Sequence, residues 1–363
     1  MSPLPLHRRI GQLAIVGFGG VSVPAELRAL AREFDLGGVI LFARNVEAPE
    51  QLAELTREVQ ELARDLPLWV SVDQEGGRVA RLGRPFTEWP PMATLGRSGD
   101  AGLADRFARA LARELRAVGI ALNYAPVLDV HTNPANPVIG DRALDGRAEV
   151  VAELGAVIIR ALQDEGVAAC GKHFPGHGDT AADSHLELPI VPHSPERLRA
   201  VELLPFRAAI AAGVAAIMSA HVLVPALDES RPSTLSPAIM GGLLRDELGF
   251  DGVILSDDLQ MGAIAAGHTL DRAVVGALAA GCDGVLICAP DQAIQAGALE
   301  AVVRAAEEQQ LPLRVLDDAL ARHRRQKERF LGTPHLARAP RDLRAILGCD
   351  DHQAIAAEMA RYL

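Results

Sequence analysis

The stretch GVILSDD, residues 252–258, is an apolar run that ends abruptly in two carboxylates. A run that is apolar throughout is typical of a parallel β-strand, because such a strand is buried on both faces. Runs of this kind recur along the chain and are separated by longer helical patterns. The eight runs are LAIVGFG (13–19), GGVILFA (37–43), PLWVSVD (67–73), ALNYAPV (121–127), VAACGKHF (167–174), AAIMSAH (215–221), GVILSDD (252–258) and GVLICAP (284–290).

Helical patterns fill the intervals between these predicted strands. Examples are PEQLAELTREVQELARD (49–65), ADRFARALARELRAVG (104–119), AELGAVIIRALQDEG (152–166), PERLRAVELLPFRAAIAAG (195–213) and SPAIMGGLLRDELG (236–249). In the last example we expect Ser236 to cap the helix and Pro237 to occupy its first position, where a missing N–H costs nothing.

The alternation of strands and helices predicts an α/β fold, a (β/α)8 TIM barrel enlarged by long loops. A doubly wound open sheet is the competing architecture. No GxGxxG motif opens a helix after the first predicted strand, which weakens that alternative. We therefore expect one barrel domain, residues 1–333, followed by a C-terminal helical appendage, residues 334–363, that ends in the helical pattern DDHQAIAAEMARYL.

Composition and charge narrow the class of protein. Hydrophobic residues make up 49% of the 363 residues and charged residues 23%, as in ordinary globular proteins. The formal net charge of −11 argues against a nucleic acid or an anionic membrane as the main partner. The four cysteines form no CxxC pair, which favours a reducing compartment, and no apolar run is long enough to span a membrane. We expect a cytoplasmic protein.

The N-terminal stretch MSPLPLHRRIGQLAIVGFGG, residues 1–20, has two interpretations. Two arginines followed by an apolar run superficially resemble a signal peptide. Glycines interrupt that run and no small-x-small cleavage site follows it, so we favour a core strand.

Polar side chains gather where five of the eight predicted strands end. They are Asp73-Gln74-Glu75-Gly76-Gly77-Arg78 after the third strand, Asp129, Asp141 and Arg142 after the fourth, Lys172 and His173 at the fifth, His221 at the sixth and Ser256-Asp257-Asp258 at the seventh. In a barrel these ends meet at one rim, where active sites lie. Asp257 should point into the barrel mouth, as a nucleophile, a base or a structural acceptor. By strand alternation, Asp258 should point away and serve a structural hydrogen-bonding role.

The loop GKHFPGHGDTAADSHLELP, residues 171–189, leaves three interpretations open. The first is a metal site, with potential ligands His173, His177, Asp179, Asp183 and His185, although no standard zinc spacing such as HExxH is present. The second is a proton shuttle, in which Asp183 orients and charge-stabilises the His185 imidazole two residues away. The third is a glycine-rich turn with incidental histidines.

Three motifs together resemble the family-3 glycoside hydrolases. They are KHFPGHGDTAADSH (172–185), VDQEGGRVARL (72–82) and ILSDDLQM (254–261), and they occur in the right order and at appropriate spacing. Within that family the chain is similar, from about residue 10 to 330, to the bacterial β-N-acetylhexosaminidases that recycle peptidoglycan fragments. The resemblance implies a (β/α)8 barrel that hydrolyses terminal β-linked N-acetylglucosamine with retention. Its substrate would be a small carbohydrate, a muropeptide or disaccharide, with no cofactor and no metal.

The resemblance also assigns roles residue by residue. Asp257 matches the nucleophile that forms a covalent glycosyl-enzyme, His185 an unusual histidine general acid/base, and Asp183 the partner of that histidine. The matches to substrate-binding residues are Asp73, Arg81, Arg142, Lys172 and His173. His177 is expected to be structural, and the polar loop from His177 to Leu188 is expected to close over substrate.

Several alternatives stay open at this point. A glycoside phosphorylase would use the same nucleophile and histidine, and a β-glucosidase of the same family is a second enzyme reading. A metallohydrolase on the same barrel and a sugar-binding barrel without turnover are more distant. Larger family members carry a second domain, and this chain is expected to be of the single-domain type.

Overall fold

Eight parallel strands close into a barrel in the order β1 to β8, with β8 paired to β1. The structure is a computed structural model and describes residues 5–332 and 342–363. The strands are β1 Ala14–Gly17, β2 Gly38–Leu41, β3 Trp69–Val72, β4 Leu122–Asn123, β5 Ala168–Phe174, β6 Ala216–Ser219, β7 Val253–Asp258 and β8 Gly284–Ile287. Each lies inside one of the eight predicted runs, so the (β/α)8 barrel prediction is confirmed and the open sheet is excluded.

Helices connect the strands and cover the barrel. The α-helices are α1 Leu6–Gly11, α2 Ala25–Phe34, α3 Pro49–Gln60, α4 Ala93–Ser98, α5 Ala101–Ala117, α6 Ala148–Asp164, α7 Pro195–Ala200, α8 Leu204–Ala211, α9 Gly262–Ala265, α10 Leu270–Ala280, α11 Gln292–Glu307, α12 Leu313–Leu331 and α13 Asp350–Ala360. Short 3-10 helices span Ala43–Asn45, Gly140–Arg142, Ser233–Leu235 and Leu343–Ala345, and a π-helix spans Ala238–Glu247.

Two predicted helices differ from those observed. The pattern 195–213 forms two helices, α7 and α8, because Pro205 cannot continue the preceding helix but suits the start of the next. The pattern 236–249 is helical but winds as a π-helix over most of its length. The π-helix begins at Ala238, so that Pro237 immediately precedes it. The Ile239 N–H donates to Ser236 Oγ at 3.3 Å, as expected of a capping serine.

The core has two layers, one inside the barrel and one between the barrel and its helices. Strand alternation divides them: Ile15, Trp69 and Leu255 pack inside, whereas Val16 and Val70 pack outward against helices. Because the interior is filled with apolar side chains, the barrel is a packed core and not a pore. The space for a ligand therefore lies above this core, at the carboxyl ends of the strands.

The C-terminal segment folds back onto the barrel. Helix α13 confirms the predicted helical pattern, and it packs against α5, where His352 Nδ1 lies 2.9 Å from Glu114 Oε1. The predicted boundary at residues 333 and 334 lies outside the described residues. Within residues 5–332 and 342–363, we find no helix whose length and apolar character would let it cross a membrane.

Candidate active site

A cavity of about 500 Å³ opens at the carboxyl ends of the strands. All eight side chains that the sequence singled out as catalytic or substrate-binding line it: Asp73, Arg81, Arg142, Lys172, His173, Asp183, His185 and Asp257. They come from the ends of four strands, β3, β4, β5 and β7, and from the loops that follow them, which the closed barrel brings to a single rim.

Asp257 and Asp258 both reach this cavity from the end of β7. The expectation that Asp258 points away is wrong, because the pairing of β7 with β8 shifts register between Leu255 and Asp258, which interrupts the regular alternation. Their contacts nevertheless differ. Asp258 Oδ1 accepts backbone N–H groups of Gln260 and Cys288, both at 3.2 Å. Asp257 Oδ1 accepts the N–H of Asp258 at 2.8 Å.

The surroundings of Asp257 favour its ionised form. Burial alone would raise the pKa of this carboxyl, but His221, His173, the Asp258 N–H and Lys172 together hold the pKa below its usual value. Burial lowers the pKa of His221, so that ring is neutral at pH 7 and contributes little charge there. With the Asp258 N–H and Lys172 beside it, Asp257 is ionised at pH 7.

Asp183 and His185 form a hydrogen-bonded pair on the loop after β5. Asp183 Oδ1 lies 2.7 Å from His185 Nδ1 and accepts the His185 backbone N–H at 2.8 Å. These contacts hold the pKa of Asp183 below its usual value, although burial opposes the shift. With Nδ1 engaged by the carboxylate, Nε2 is the imidazole nitrogen left for a ligand.

A buried charge network surrounds Lys172. Its Nζ lies 2.7 Å from Asp73 Oδ1 and 2.6 Å from Glu75 Oε1, and Arg142 clasps Glu75 through two hydrogen bonds of 2.8 and 2.9 Å. Burial would raise the pKa of Glu75, but Lys172 and Arg142 lower it to about 2. Burial likewise opposes a charge on Lys172, whose pKa Asp73 and Glu75 nevertheless raise. The network thus presents fixed charges to the cavity.

Two histidines beside the network have different partners. His173 Nδ1 lies 2.6 Å from Asp129 Oδ2. The other ring nitrogen, Nε2, does not take part in this contact. His177 is buried, with Nδ1 at 2.7 Å from Thr180 Oγ1 and Nε2 at 2.9 Å from Ser184 Oγ. Burial lowers the pKa of His177 to about 4, so the ring is neutral at pH 7. Both ring nitrogens of His177 are thus engaged by side chains of its own loop, Thr180 and Ser184.

The metal interpretation lacks a ligand set in the part of the chain that the structure describes. No three His, Cys, Asp or Glu side chains there are grouped so that they could hold an ion. Asp179, one of the potential ligands, hydrogen-bonds Thr132 Oγ1 at 2.7 Å and contacts His193 instead.

The cavity wall also carries arginines beside an aromatic ring. The guanidinium carbon of Arg44 lies 4.3 Å from the Phe42 ring centroid and that of Arg81 lies 5.7 Å from it. Arg81 is also 3.8 Å from Asp73. These contacts place cations near the mouth, where hydroxyl or anionic groups of a ligand would meet them.

Four further residues shape the site, although the sequence assigned none of them an individual role: Glu75, Asp129, His221 and Arg44. In an extended chain Glu75, two residues after Asp73, lies on the same side as Asp73. The stretch VDQEGG (72–77) therefore already indicated that Glu75 could reach the site. Asp129 and His221 were recognised as lying at the rim, but their contacts to His173 and to the Asp258 carbonyl depend on barrel closure. Arg44 lies in the 3-10 helix Ala43–Asn45 after β2 and had no signal of its own in the sequence.

The comparisons with known proteins agree with this geometry. The model of the glycosyl hydrolase family 3 N terminal domain matches residues 5–325. A β-hexosaminidase of Thiobacillus denitrificans is 45% identical over 260 residues, which are 70% of this chain and 71% of that protein. The solved glycoside hydrolase family 3 β-N-acetylglucosaminidase from Paenibacillus sp. has a TM-score of 0.95 at 42% identity, covering 99% of this chain and 69% of that one.

A second solved structure covers nearly all of both chains. NagZ from Neisseria gonorrhoeae, in complex with N-trifluoroacetyl-D-glucosamine, has a TM-score of 0.79 at 33% identity over 96% of this chain and 97% of that one. The family match extends from α1 into α12 and so includes every strand of the barrel and every residue of the cavity wall. The chain therefore belongs to glycosyl hydrolase family 3 and is a glycoside hydrolase.

Proposed function

We propose that the protein is a retaining β-N-acetylhexosaminidase that removes terminal β-linked N-acetylglucosamine from small peptidoglycan-derived fragments. One observation carries the proposal: the Asp257 carboxylate lines the same cavity as the Asp183–His185 pair. Retention requires one nucleophile and one acid/base group, and nothing in that chemistry requires the second group to be a carboxyl.

In the first step, Asp257 attacks the anomeric carbon and displaces the aglycone. Its lowered pKa supports this role, because the attacking carboxylate must be ionised. The His185 imidazolium gives its Nε2 proton to the leaving oxygen as the glycosidic bond breaks. Asp183, at 2.7 Å from Nδ1, orients the ring and stabilises its positive form.

In the second step, neutral His185 removes a proton from water. The water oxygen bonds to the anomeric carbon, the bond to Asp257 breaks, and the carboxylate and the imidazolium are restored. The side chains of Lys172, Asp73, Arg142, His173 and Arg81 would hydrogen-bond the sugar hydroxyls and hold the ring over Asp257.

The names of the relatives support the choice of sugar, since they are β-hexosaminidases and an N-acetylglucosaminidase. For this chain we propose N-acetylglucosamine as the glycone and a muropeptide or disaccharide as the whole substrate, with no metal or cofactor. We also propose a cytoplasmic location, which the four free thiols support. Residues 1–333 would form the catalytic barrel and 334–363 an appendage.

A panel of nitrophenyl glycosides, with and without phosphate, tests this function. We expect hydrolysis of the β-N-acetylglucosaminide to exceed that of the β-glucoside in kcat/KM by about 100-fold or more, since a site built to bind a polar group strongly rejects analogues that lack it. Sugar phosphate as the main product would favour a phosphorylase, preference for the glucoside a β-glucosidase, and binding without turnover a sugar-binding protein.

A further inference from the structure

The segment that carries His185 has little buried surface to hold it in place. The His185 side chain is 61% exposed, and Leu186 beside it is 78% exposed. An apolar side chain left in water contributes nothing to packing, so burial cannot fix the position of this segment. Its position must instead depend on hydrogen bonds.

Two of these hydrogen bonds come from the segment that follows β7. The Gly262 N–H donates to the His185 carbonyl and the Ala263 N–H donates to the Ser184 carbonyl, each at 3.1 Å. Ser184 is also held from the other side, since its Oγ lies 2.9 Å from Nε2 of His177. The backbone at His185 is thus fixed directly by Gly262.

Gly262 is joined to the end of β7 by the turn 258–261, and we call the end of β7 together with this turn and Gly262 the frame. The intervening turn is braced: the Met261 N–H donates to the Asp258 carbonyl at 3.1 Å, and the Ala289 N–H donates to Gln260 Oε1 at 2.9 Å. Only four residues separate Asp257 from Gly262. The contact therefore ties the histidine to the same frame as the aspartate.

The fit at Gly262 leaves no room for a side chain. A Cβ there would lie 2.6 Å from the His185 carbonyl oxygen and 2.8 Å from that of Leu186. Its φ angle is not among the positive ones, so the backbone conformation itself is accessible to alanine. The three atoms nearest to that Cβ all belong to residues 185 and 186, which are exposed to solvent, so we expect this segment to be displaced.

We propose that Gly262 is a positioning residue that sets the distance between the two catalytic groups, because its N–H and its missing side chain dock the His185 segment against the frame of Asp257. The inference rests on the proposed acid/base role of His185. It adds that this role depends on a residue that touches neither substrate nor imidazole.

The test compares Gly262→Ala with Gly267→Ala across aryl N-acetylglucosaminides of increasing leaving-group pKa. Gly267 lies just beyond α9, where an added Cβ meets nothing within 4 Å. For Gly262→Ala we expect kcat/KM to fall about 10- to 100-fold on poor leaving groups and far less on activated phenols, because a displaced acid no longer protonates the leaving oxygen. Gly267→Ala should match wild type throughout.

His185→Ala in the same series separates this inference from the proposed function. A leaving-group-dependent loss in His185→Ala without one in Gly262→Ala would overturn the inference and leave the function standing. Equal losses of His185→Ala on all leaving groups would refute the acid/base role, and the inference with it.

Amide hydrogen exchange gives a readout that does not depend on turnover. In Gly262→Ala we expect faster exchange in peptides covering residues 180–191, with unchanged exchange in the barrel strands. Unchanged exchange in 180–191 would overturn the inference whatever the kinetics, and faster exchange throughout the barrel would mean that the substitution damages the fold and not the docking.

Discussion

Asp257 and Asp258 are neighbours in sequence and line the same cavity, but their environments differ. Burial raises the pKa of Asp258 to about 6, and its backbone N–H partners only partly oppose the shift. Burial acts on Asp257 too, but nearby positive groups and the Asp258 N–H outweigh it and lower the pKa. The pKa values of two adjacent carboxyls are thus shifted in opposite directions, a pattern typical of groups with distinct chemical roles. Asp257 is the one that is ionised well below neutral pH.

Asp257→Ala is therefore expected to abolish turnover without unfolding the protein, since the residue lies at the rim and not in the core. Loss of a covalent nucleophile costs about 10⁴- to 10⁶-fold in kcat. A slow N-acetylglucosaminide that carries fluorine at C5, so that the C2 acetamido group is kept, should label wild type, and peptide mapping should find the sugar on Asp257. A label on Asp258 or on any glutamate would refute the assignment.

The sequence predicted the residues of the site better than their contacts. Asp257, Lys172 and His185 were recognisable because polar side chains followed apolar strands or stood in a specific motif. The inward position of Asp258 was not, because strict alternation was assumed and the register shift in β7 depends on its pairing with β8. A bulge is a property of two strands, and one strand's sequence does not show it.

At the scale of elements, the ends of β3 and β5 and the loop after β4 are joined through one buried carboxylate. Glu75 follows β3, Lys172 lies in β5, and Arg142 lies in the 3-10 helix Gly140–Arg142. Glu75 contacts both cations and is almost fully buried. Each strand was predictable from its own apolar run. The junction was not, because it joins segments 67 and 97 positions apart.

Glu75→Gln should cost both stability and substrate binding. The amide keeps the shape of the side chain but leaves Arg142 without its buried counter-charge and Lys172 with Asp73 alone, and breaking a buried pair typically destabilises by about 3–5 kcal/mol. Denaturant unfolding should show the loss, and KM for the N-acetylglucosaminide should rise. Glu88→Gln, which breaks an exposed pair with Arg84, is the matched control and should change stability by less than about 1 kcal/mol.

The pH dependence of the Glu75 contribution follows from its lowered pKa. The stabilisation is fully present above the unfolded pKa near 4.5 and is lost as the pH falls through about 2. Wild type should therefore lose stability more steeply than Glu75→Gln between pH 4.5 and 2. Parallel curves for the two proteins over that range would contradict the assignment of a buried charge to Glu75.

At the scale of the whole molecule, the chain contains only two lysines, and both are buried. Lys172 lies at the cavity end of the barrel between two carboxylates. Lys327 lies at the opposite end on α12, where its Nζ donates to Gln12 Oε1 at 2.9 Å. The stretch RRQKERF around it reads as a solvent-exposed charged helix face. Only the docking of α12 under the closed barrel buries it.

The two lysines respond to burial in opposite directions because their partners differ. Carboxylates raise the pKa of Lys172 against the effect of burial. Lys327 has a neutral amide as its hydrogen-bond partner, so burial prevails and lowers its pKa to about 7, with Asp35 opposing weakly. An arginine could not lose its proton in this way. The base of the barrel thus holds a lysine that is partly neutral at physiological pH.

This predicts that the Lys327 contribution to stability rises with pH from about 7 towards 10.5. Stability should follow it up to about pH 9, because above that pH the thiols of Cys170 and Cys282, whose pKa values are raised by burial, oppose the trend. In that window the unfolded chain binds the Lys327 proton and the folded chain does not, so protonation favours unfolding, at about 1.4 kcal/mol per unit of pKa difference. Denaturant unfolding of wild type should follow this trend, and Lys327→Met should lose most of the slope. Arg324→Met, which removes an exposed charge from the same helix, should keep the wild-type slope. If Lys327→Met retained that slope as well, the pH dependence would belong to another group, and Lys327 would have to be charged within the fold.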